Sequence, residues 1–551
     1  MKPRNRLLYT GDCNYLFYNH YGRTGRGPYT AEVFHDHVDL LADGGVDTCV
    51  VNPNGQVPWY PSKALPNVIT GYVRGDLDFI RGHYPPCDAT FPPEMLQEHL
   101  KVTAQMLDRY LDLAEAGVDW VAEMAKACRR RKVAPWLSIR MNDAHGANSW
   151  ERSYMNCPLQ RDPRYRLKAS HMNPRLGTNK WMTVCNYALP EVRDYYFAMI
   201  RELVEEYDYE GIELDWLRTS SCCNPPASQA DIQAMLDWAG RLRELTTRRG
   251  RETGKPYPIG LRIPCRMDAL RTIGLDVPAM ARQGLIDFVG FSNTWQTTWD
   301  VPYDRLRAEL GDEVAIYGVI EDAPNWMFAV DASTGKKGYR LLSTSEALLR
   351  GNAAGKLATG ADGIELFNFF CSDSGGTHPS AQAGAGRYDA IRGLADLERL
   401  RGQPKHYALA TSYNYWAAPF FEYADQLPAT IEHGAWRRFD ISMCSEPVQS
   451  RLKLTAQIVI ERTKDVPELG VSLNGSWPTF EATRTDKLLI PTGVYTHHVP
   501  EHMGLNYRLR IEDIREGWNS IVVHHGAEQV MPEEHARQPG VRICSLELAI
   551  K

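Results

Sequence analysis

Two acidic residues of this chain stand where short apolar runs end, and their side chains could carry acid–base chemistry. Asp215 follows the run Gly211-Ile212-Glu213-Leu214, and Glu321 follows Gly318-Val319-Ile320. A pair of carboxyl groups across a cleft can cleave a glycosidic bond, because one protonates the leaving oxygen while the other attacks the anomeric carbon or activates water. A separation of about 5–5.5 Å leads to retention of configuration, and one of about 6.5–9.5 Å leads to inversion. Asp215 and Glu321 are therefore the candidate catalytic pair.

Further polar residues lie in or just after the predicted strands described below. We expect them to bind the hydroxyl groups of a sugar. Each is weak evidence by itself because loops are polar in general, so the prediction depends on their gathering at one end of the fold. The candidate substrate-binding residues are Arg218, Asn142, His145, Arg262, Asn293, Glu365 and Asn368, with Trp295 as a ring on which a pyranose could stack.

A structural alternative applies to all of these carboxylates. An acid inside a barrel can pair with an arginine and contribute only to the core. This alternative is favoured for Glu213 and Glu365, which lie deeper in their strands and could bridge to Arg140 or Arg262. For Asp215 and Glu321 both interpretations stay open.

The spacing of potential metal ligands does not indicate a metal or cofactor. No His-x-x-His, Cys-x-x-Cys or His-Glu-x-x-His spacing occurs, so we predict neither a catalytic metal nor a cofactor. The 12 cysteines are scattered and match no zinc site, so we expect reduced thiols.

Apolar runs and longer amphipathic segments alternate from residue 7 to about residue 400. Parallel strands joined by crossover helices produce such an alternation. The predicted strands are Leu7–Phe17, Val46–Asn52, Val133–Met141, Gly211–Leu217, Ile259–Pro264, Ile286–Ser292, Val314–Ile320 and Gly363–Phe369. The predicted helices are Ala31–Ala42, Pro93–Arg131, Pro190–Tyr207, Ser228–Arg249, Val277–Gln283, Tyr303–Leu310, Ser343–Thr359 and Asp389–Arg399. Eight of each predict an α/β fold of the (β/α)8 TIM-barrel type. The doubly wound sheet is set aside because no Gly-rich phosphate fingerprint follows the first strand.

This barrel would gather the acidic residues at one end. Alternate residues of a strand point inward, so Glu213 and Asp215 share the inward face of the fourth strand while Trp216 faces the helices. Active sites of such barrels lie at the carboxyl ends of the strands, where Asp215 and Glu321 are placed.

The pattern changes after residue 403. Alternating stretches at Leu452–Glu461, Leu469–Leu473, Tyr507–Ile514, Ile521–Val523 and Val541–Ile550 are separated by turn residues, among them Asn474-Gly475. We predict a barrel domain over residues 1–403 and an antiparallel β-sandwich over residues 404–551. The second domain resembles the jelly-roll accessory modules of carbohydrate-active enzymes. Its role stays open between binding a sugar chain, forming an oligomer contact and covering the barrel surface.

Two neighbouring segments resemble the glycosyl-hydrolase-like barrel families. They are Pro-Glu-Val-Arg-Asp-Tyr-Tyr from Pro190 and Tyr-Asp-Tyr-Glu-Gly-Ile-Glu-Leu-Asp-Trp-Leu-Arg from Tyr207. Glu210 stands where those families usually have Asp, and Glu213 where they often have His, whereas Asp215 and Arg218 match their pattern.

The resemblance implies a glycoside hydrolase in which Asp215 is the leading catalytic carboxylate, as nucleophile or general base, and a retaining course is expected. In several related retaining α-glycosidase and fucosidase barrels a strand-four Asp is the nucleophile. The large group with an Asn-Glu acid on strand four differs, because Leu214-Asp215 stands there. Glu321 is assigned as acid/base, with Asp268 and Glu365 as alternatives. Two other functions stay open: a non-catalytic carbohydrate-binding barrel, and another sugar-active barrel enzyme such as an isomerase, a lyase or a metal-dependent hydrolase.

Composition and charge narrow the range of partners. The 551 residues include 62 Lys and Arg against 68 Asp and Glu, a formal net charge of −6, which argues against a nucleic-acid binder. Hydrophobic and charged contents of 43% and 24% are those of a folded globular protein. No apolar run approaches the ~20 residues that span a bilayer. We expect a carbohydrate substrate, no nucleic-acid or membrane partner, and an oligomeric state left open. With no signal peptide visible, a cytoplasmic location is expected, although a trimmed secreted or periplasmic protein would look the same.

Overall fold

The structure is a computed structural model of the 551-residue chain. It describes residues 5–18, 29–84, 93–168, 183–217, 219–292, 297, 299–321, 326–330, 337–341, 345–369, 387–410, 426–447, 451–464, 466–478, 482–489, 502–526 and 538–551.

Eight parallel strands close into a barrel, which confirms the predicted fold class. The strands are β1 (Leu7–Gly11), β2 (Thr48–Val51), β3 (Ala134–Arg140), β4 (Ile212–Asp215), β5 (Ile259–Ile263), β6 (Phe288–Phe291), β7 (Ala315–Glu321) and β10 (Gly363–Phe367). A separate antiparallel hairpin of β8 (Trp326–Val330) and β9 (Lys337–Leu341) intervenes in the chain, so the eighth barrel strand is β10.

The inward and outward faces of β4 follow the predicted parity. Leu214 and Trp216 pack against Met235 and Trp238 of the helix that follows β4. Glu213 and Asp215 therefore face the barrel interior, because successive side chains of a strand point to opposite sides.

The first strand is shorter than predicted. β1 ends at Gly11, and a short helix, Tyr15–Tyr18, occupies the second half of the predicted strand Leu7–Phe17. Phe17 is buried there by stacking on Tyr110, with ring centroids 3.6 Å apart. Phe17 is thus a buried apolar residue of a short helix, and in the sequence it looked like a continuation of the strand.

Helices cover the outside of the barrel. Those of at least five residues are Glu32–Asp43, Leu77–Arg81, Pro93–Glu115, Trp120–Arg131, Pro190–Glu206, Gln229–Thr253, Met267–Thr272, Val277–Arg282, Tyr303–Leu310 and Glu346–Ala358. Shorter helices are Tyr15–Tyr18, Pro158–Arg161 and Leu397–Leu400.

Two helix predictions were wrong. The predicted helix Pro93–Arg131 is two helices, because Gly117 has a φ of 67° and Asp119 caps the second helix by accepting from Val121 N and Ala122 N. The predicted helix Asp389–Arg399 is a 3₁₀ turn, Arg387–Ile391, followed after Gly393 by the short helix Leu397–Leu400.

The C-terminal strands form two antiparallel sheets, which confirms the predicted β-sandwich. One sheet has the order β11-β19-β14-β17-β16, with β12 paired to β19, and the other has the order β13-β18-β15. The bounds are β11 (Lys405–Ala410), β12 (Ala429–Ile431), β13 (Trp436–Met443), β14 (Leu454–Glu461), β15 (Leu469–Leu473), β16 (Thr483–Thr485), β17 (His502–Leu509), β18 (Gly517–His525) and β19 (Val541–Ile550).

Side chains of these sheets alternate between core and surface. Along β18 every second residue is buried, from Gly517 to His525. The predicted Asn474-Gly475 turn is present: both residues have positive φ, 52° and 85°, as a type I′ turn requires. Among the described helices, none combines the length and the apolar character needed to cross a membrane.

Candidate active site

Asp215 and Glu321 meet at one arginine. Arg262 Nη2 donates to Asp215 Oδ2 at 3.0 Å, and Arg262 Nη1 lies 3.9 Å from Glu321 Oε1. The three residues come from β4, β5 and β7, and Asp215 and Arg262 are direct neighbours in the parallel register. The guanidinium also lies 3.4 Å from the centroid of the Phe367 ring, at the end of β10. Four barrel strands thus contribute to one compact group at their carboxyl ends.

The group is nearly enclosed. The exposed fraction is 2% for Asp215, 1% for Arg262 and 5% for Glu321. Burial by itself lowers the pKa of Arg262, but the negative charges of Asp215 and Glu321 outweigh it and hold that pKa above the ordinary value. Arg262 is therefore a fixed positive charge between two acidic side chains.

Backbone and hydroxyl groups orient both acids. Asp215 Oδ1 accepts from Leu217 N at 3.0 Å, so each of its oxygens has a donor. Thr297 Oγ1 both donates to the carbonyl oxygen of Glu321 and accepts from its N–H, the latter at 3.0 Å. Ser292 Oγ lies 3.4 Å from Glu321 Oε1. The Asp215 carboxylate is thus held by donors to both of its oxygens, whereas Thr297 holds the backbone of Glu321.

Glu213 and Glu365 form a second acidic pair below the first. Ser138 Oγ donates to Glu213 Oε1 at 2.8 Å, and Thr10 Oγ1 donates to Glu365 Oε1 at 2.9 Å. Burial, reinforced by the charge of Glu365, raises the pKa of Glu213 well above its usual range. Burial also raises the pKa of Glu365, against the opposing influence of Arg262. Burial and mutual repulsion thus favour the protonated form of this pair.

A glycine makes room for this deeper pair. A Cβ added to Gly290, on β6, would lie 2.4 Å from Glu365 Oε2 and 3.2 Å from Val319 Cγ2. Such a distance to an oxygen is far inside van der Waals contact, so position 290 accepts no side chain while Glu365 keeps its place.

A second cluster of charged residues lies beside this group at the barrel mouth. Arg140, at the end of β3, bonds to Asp12 and to Asp143, the latter at 2.9 Å between Nη1 and Oδ2. Asn368 Nδ2 donates to Asp12 Oδ2 at 3.0 Å. His145 Nδ1 lies 2.8 Å from both carboxylate oxygens of Asp143, and its ring is partly exposed. This carboxylate fixes the orientation of an accessible imidazole.

The two clusters are adjacent. Arg140 pairs with Asp215 in the β3–β4 register, and Asp215 pairs with Arg262 in the β4–β5 register. Positive, negative and positive side chains thus stand on three neighbouring strands. Burial by itself would lower the pKa of Arg140, but Asp12 and Asp143, with a contribution from Asp215, raise it above its ordinary value.

Several predicted site residues lie elsewhere. Asn142 is buried, and its Nδ2 donates to the carbonyl oxygens of Cys185, at 3.3 Å, and Ser221. Glu365 lies in the barrel interior, below the acid pair. Asp268, an alternative acid/base, is exposed and pairs with Arg266 at 2.8 Å on the next helix. Arg218, Asn293 and Trp295 fall outside the described residues.

Sequence reasoning missed Asp12. The first strand was predicted to run to Phe17, which hid an acid that in fact follows β1 directly. The Gly11-Asp12 pair after an apolar run is the signal that could have found it. Sequence patterns indicated that barrel acids could bridge to Arg262, but not that Arg262 lies between Asp215 and Glu321.

A separate cavity of about 840 Å³ opens at the opposite end of the barrel. Its lining includes Tyr257 and Pro258 before β5, Asp287 before β6 and Glu313 before β7. Barrel enzymes use the carboxyl ends of the strands for catalysis, so this cavity is on the face that serves stability. Within the described part of the chain, no group of three or more His, Cys, Asp or Glu is arranged to hold a metal ion.

The arrangement at the mouth has the parts needed for acid–base or nucleophilic chemistry on a polar substrate. It offers two carboxyl groups on either side of a cation, a carboxylate-oriented histidine and a second arginine nearby.

Fold and site place the chain in the class of (β/α)8 barrels that carry a C-terminal β-sandwich. No family model and no curated protein matches the chain. Among solved structures, alpha-L-fucosidase isoenzyme 2 from Paenibacillus thiaminolyticus is similar over 72% of this chain and 49% of its own, with 14% identity and a TM-score of 0.39. The chain thus spans about half the length of that enzyme.

Two further structures are similar over nearly the whole chain. The noncanonic maltogenic alpha-amylase AmyB from Thermotoga neapolitana is similar over 96% of this chain and 100% of its own, with 10% identity and a TM-score of 0.37. A putative alpha-L-fucosidase from Bacteroides thetaiotaomicron is similar over 98% and 94%, with 12% identity and a TM-score of 0.32. At these scores the likeness assigns no activity to this chain.

Proposed function

We propose that the chain is a glycoside hydrolase that cleaves a glycosidic bond in an oligosaccharide or glycoside. The observation that carries this proposal is the placement of Asp215 and Glu321 on the two terminal nitrogens of Arg262, at the carboxyl ends of β4 and β7. Two acids flanking a single reaction centre are the minimum machinery for this hydrolysis.

The contacts of Arg262 limit how far apart the two acids lie. Contacts of 3.0 and 3.9 Å to the two terminal nitrogens of one guanidinium put the bonded carboxylate oxygens within reach of a single sugar ring. Their separation is at most about 10 Å, a limit that admits both the retaining and the inverting spacing of glycosidases. We assign the retaining course, in which Asp215 attacks the anomeric carbon while Glu321 protonates the leaving oxygen. Glu321 then removes a proton from the water that releases the sugar.

The surrounding groups supply substrate contacts in this proposal. His145 is partly exposed and oriented by Asp143, so it can hydrogen-bond a sugar hydroxyl. Arg218, Asn293 and Trp295 are assigned to substrate binding from their positions after the fourth and sixth strands, and Asn368 from its place beside Asp12. Cytoplasmic location and the oligomeric state stay predictions.

A non-catalytic carbohydrate-binding barrel is the second candidate. The observation that favours it is the low exposure of Asp215 and Glu321, together with the ion pair between Asp215 and Arg262. Buried ion pairs of this kind also occur in cores without any catalytic role.

The deciding experiment measures hydrolysis of a panel of 4-nitrophenyl glycosides by the full chain and its variants. Asp215→Asn and Glu321→Gln are expected to lower kcat by about 10³-fold or more. Glu205→Gln is the control, because Glu205 is an exposed acid of the helix Pro190–Glu206, paired with Arg248, and this variant should keep full activity.

Azide rescue distinguishes Asp215 as a nucleophile from Asp215 as a general base that activates water. In Asp215→Gly, azide is expected to restore turnover by attacking the anomeric carbon in place of the carboxylate, forming a glycosyl azide of inverted configuration. Unchanged hydrolysis in both the Asp215 and Glu321 variants, or sugar binding by calorimetry without turnover of any glycoside, would contradict the proposed enzyme.

A further inference from the structure

Three aromatic rings form a row on the outer face of the three-stranded sheet. Trp436 begins β13, His524 lies opposite it on β18, and Trp477 follows the turn after β15. The ring centroids of Trp436 and His524 are 6.3 Å apart, and those of Trp477 and His524 are 5.4 Å apart. The planes tilt by 36° and 42°, so the rings make a shallow surface instead of a closed stack. We call this row the Trp436–His524–Trp477 platform.

The two indoles of the platform are largely in solvent. Trp436 is 62% exposed and Trp477 is 54% exposed, whereas Phe439 of β13 and Val471 of β15 face the core and are fully buried. The core therefore does not account for these tryptophans.

A glycine shapes one end of the platform. Gly470 pairs with His524 across the β15–β18 register, and a Cβ at Gly470 would come within 3.1 Å of the Trp477 ring. The missing side chain lets the indole lie flat beside the strand.

The far end of the same face is already occupied by the barrel. Ser442 Oγ lies 3.4 Å from the carbonyl oxygen of Trp299, and Trp518 Nε1 donates to Asp304 at 3.3 Å. Ser442 and Trp518 pair with each other at the end of the β13–β18 ladder opposite to Trp436 and His524. Among the described residues, the platform therefore lies at the end of this face away from these barrel contacts, and it is separate from the acid pair.

The area and the polar neighbours of the platform indicate which kind of ligand it can bind. Its exposed indole surface is roughly 300 Å², well short of the ~800 Å² that each partner buries in a stable protein–protein interface. Polar groups stand beside the rings: His524 lies between them, and the exposed Arg438, on the same face of β13 as Trp436, pairs with Asp440 at 2.7 Å. An indole ring covers the apolar C–H face of a pyranose, while an imidazole and guanidinium groups can bond its hydroxyls.

We propose that the Trp436–His524–Trp477 platform binds a neutral polysaccharide chain, one sugar ring on each tryptophan. The choice of a sugar as the occupant rests on the proposed function; the platform itself rests on the contacts above. By holding a polymer, it would raise the local concentration of substrate near the barrel without touching the reacting bond.

Affinity gel electrophoresis of the full chain tests the platform without any turnover. The gels contain dextran, galactomannan or xyloglucan as soluble neutral polysaccharides. We expect at least one polymer to retard the wild-type chain, and Trp436→Ala and Trp477→Ala each to weaken that retardation about 10-fold or more. Val73→Ala is the matched control, because Val73 is an exposed apolar residue of the barrel, and it should migrate like the wild type.

Two outcomes would overturn the proposal. One is the absence of retardation by all three polymers, or retardation that both tryptophan variants retain. The other is a wild-type dimer in sedimentation velocity that Trp436→Ala dissociates, which would make the platform an interface between copies. Failure of the proposed enzyme is seen separately, because hydrolysis of small 4-nitrophenyl glycosides depends on Asp215 and not on the platform. Retardation without any hydrolysis would leave the platform standing and reject the enzyme.

Discussion

Arg262 donates to Asp215 across the β4–β5 register at 3.0 Å, and its other terminal nitrogen lies 3.9 Å from Glu321. One guanidinium group, stacked against Phe367, therefore bonds Asp215 and lies in ion-pair range of Glu321, and these two acids come from strands on different sides of the mouth. A planar fork with several donors can hold two carboxylates at once, whereas a single ammonium group cannot reproduce both directions.

Arg262→Lys is expected to lower kcat on a responsive glycoside by about 10²-fold while the protein stays folded. The positive charge is kept, but its two contacts are not, so Asp215 and Glu321 lose their mutual alignment. Steady-state kinetics and the thermal midpoint report the two effects separately. Arg266→Lys is the control, since Arg266 is an exposed arginine paired with Asp268. Equal activity of both variants would show that Arg262 does not align the acids.

Glu213→Gln is expected to make the protein more stable at alkaline pH. The unfolded chain releases the Glu213 proton near its ordinary pKa of 4.5, while the folded chain keeps it to higher pH because its pKa is raised. The free energy of unfolding of the wild type therefore falls as pH rises through that window. Glutamine does not titrate and keeps the oxygen that Ser138 bonds.

Urea denaturation at pH 5 and pH 8 measures this difference. The gain of the Glu213→Gln variant over the wild type should grow between the two pH values by about 1 kcal/mol or more. Glu205→Gln, at an exposed site paired with Arg248, should show no such trend. A large loss of stability in Glu213→Gln at both pH values would mean that Glu213 is held as a charged partner of Arg262.

Gly290→Ala is expected to destabilise the barrel by about 1–3 kcal/mol, the usual cost of overpacking. The new methyl group would press on Glu365 Oε2 at 2.4 Å. Gly240→Ala is a matched control, because a Cβ there meets nothing within 4 Å and alanine favours the helix. In a Glu365→Asp background the cost of Gly290→Ala should shrink, and a double-mutant cycle measures that coupling. Additive effects would place the strain elsewhere.

The stability of the barrel should fall as the pH drops below about 6.5. Burial lowers the pKa of His37 from 6.5 to about 3. The unfolded chain therefore binds this proton over a range in which the folded chain does not. His37 contributes a loss of about 1.4 kcal/mol per pH unit across that range. His83, whose pKa burial lowers to about 4, acts in the same direction over a narrower range.

His37→Gln tests that pH dependence, because glutamine is polar but does not titrate. Between pH 6.5 and pH 5, the wild type should lose about 2 kcal/mol of unfolding free energy more than the variant. His35→Gln, on the same helix but partly exposed and paired with Glu123, serves as the control. Parallel pH curves for the wild type and His37→Gln would contradict the assignment.

Patterns within single elements were read correctly from the sequence. Eight apolar runs gave the eight barrel strands, and parity along β4 placed Glu213 and Asp215 inside and Trp216 against the helices. The errors arose where an apolar or amphipathic pattern continued past the true end of an element. Phe17 continued an apolar run but is buried from a helix, and Gly117 with Asp119 divided a segment whose amphipathic pattern runs through both helices.

Periodicity determined which residues face inward and which strand ends carry acids, because side-chain direction along a strand or helix depends only on nearby backbone geometry. Closure of the barrel decided which side chains meet. It places Arg262 between Asp215 and Glu321 and Asp12 on Arg140. It also places the Asn142 amide on a backbone carbonyl oxygen. Those contacts join strands far apart in the chain. They depend on register and ring closure, which no stretch of neighbouring residues encodes.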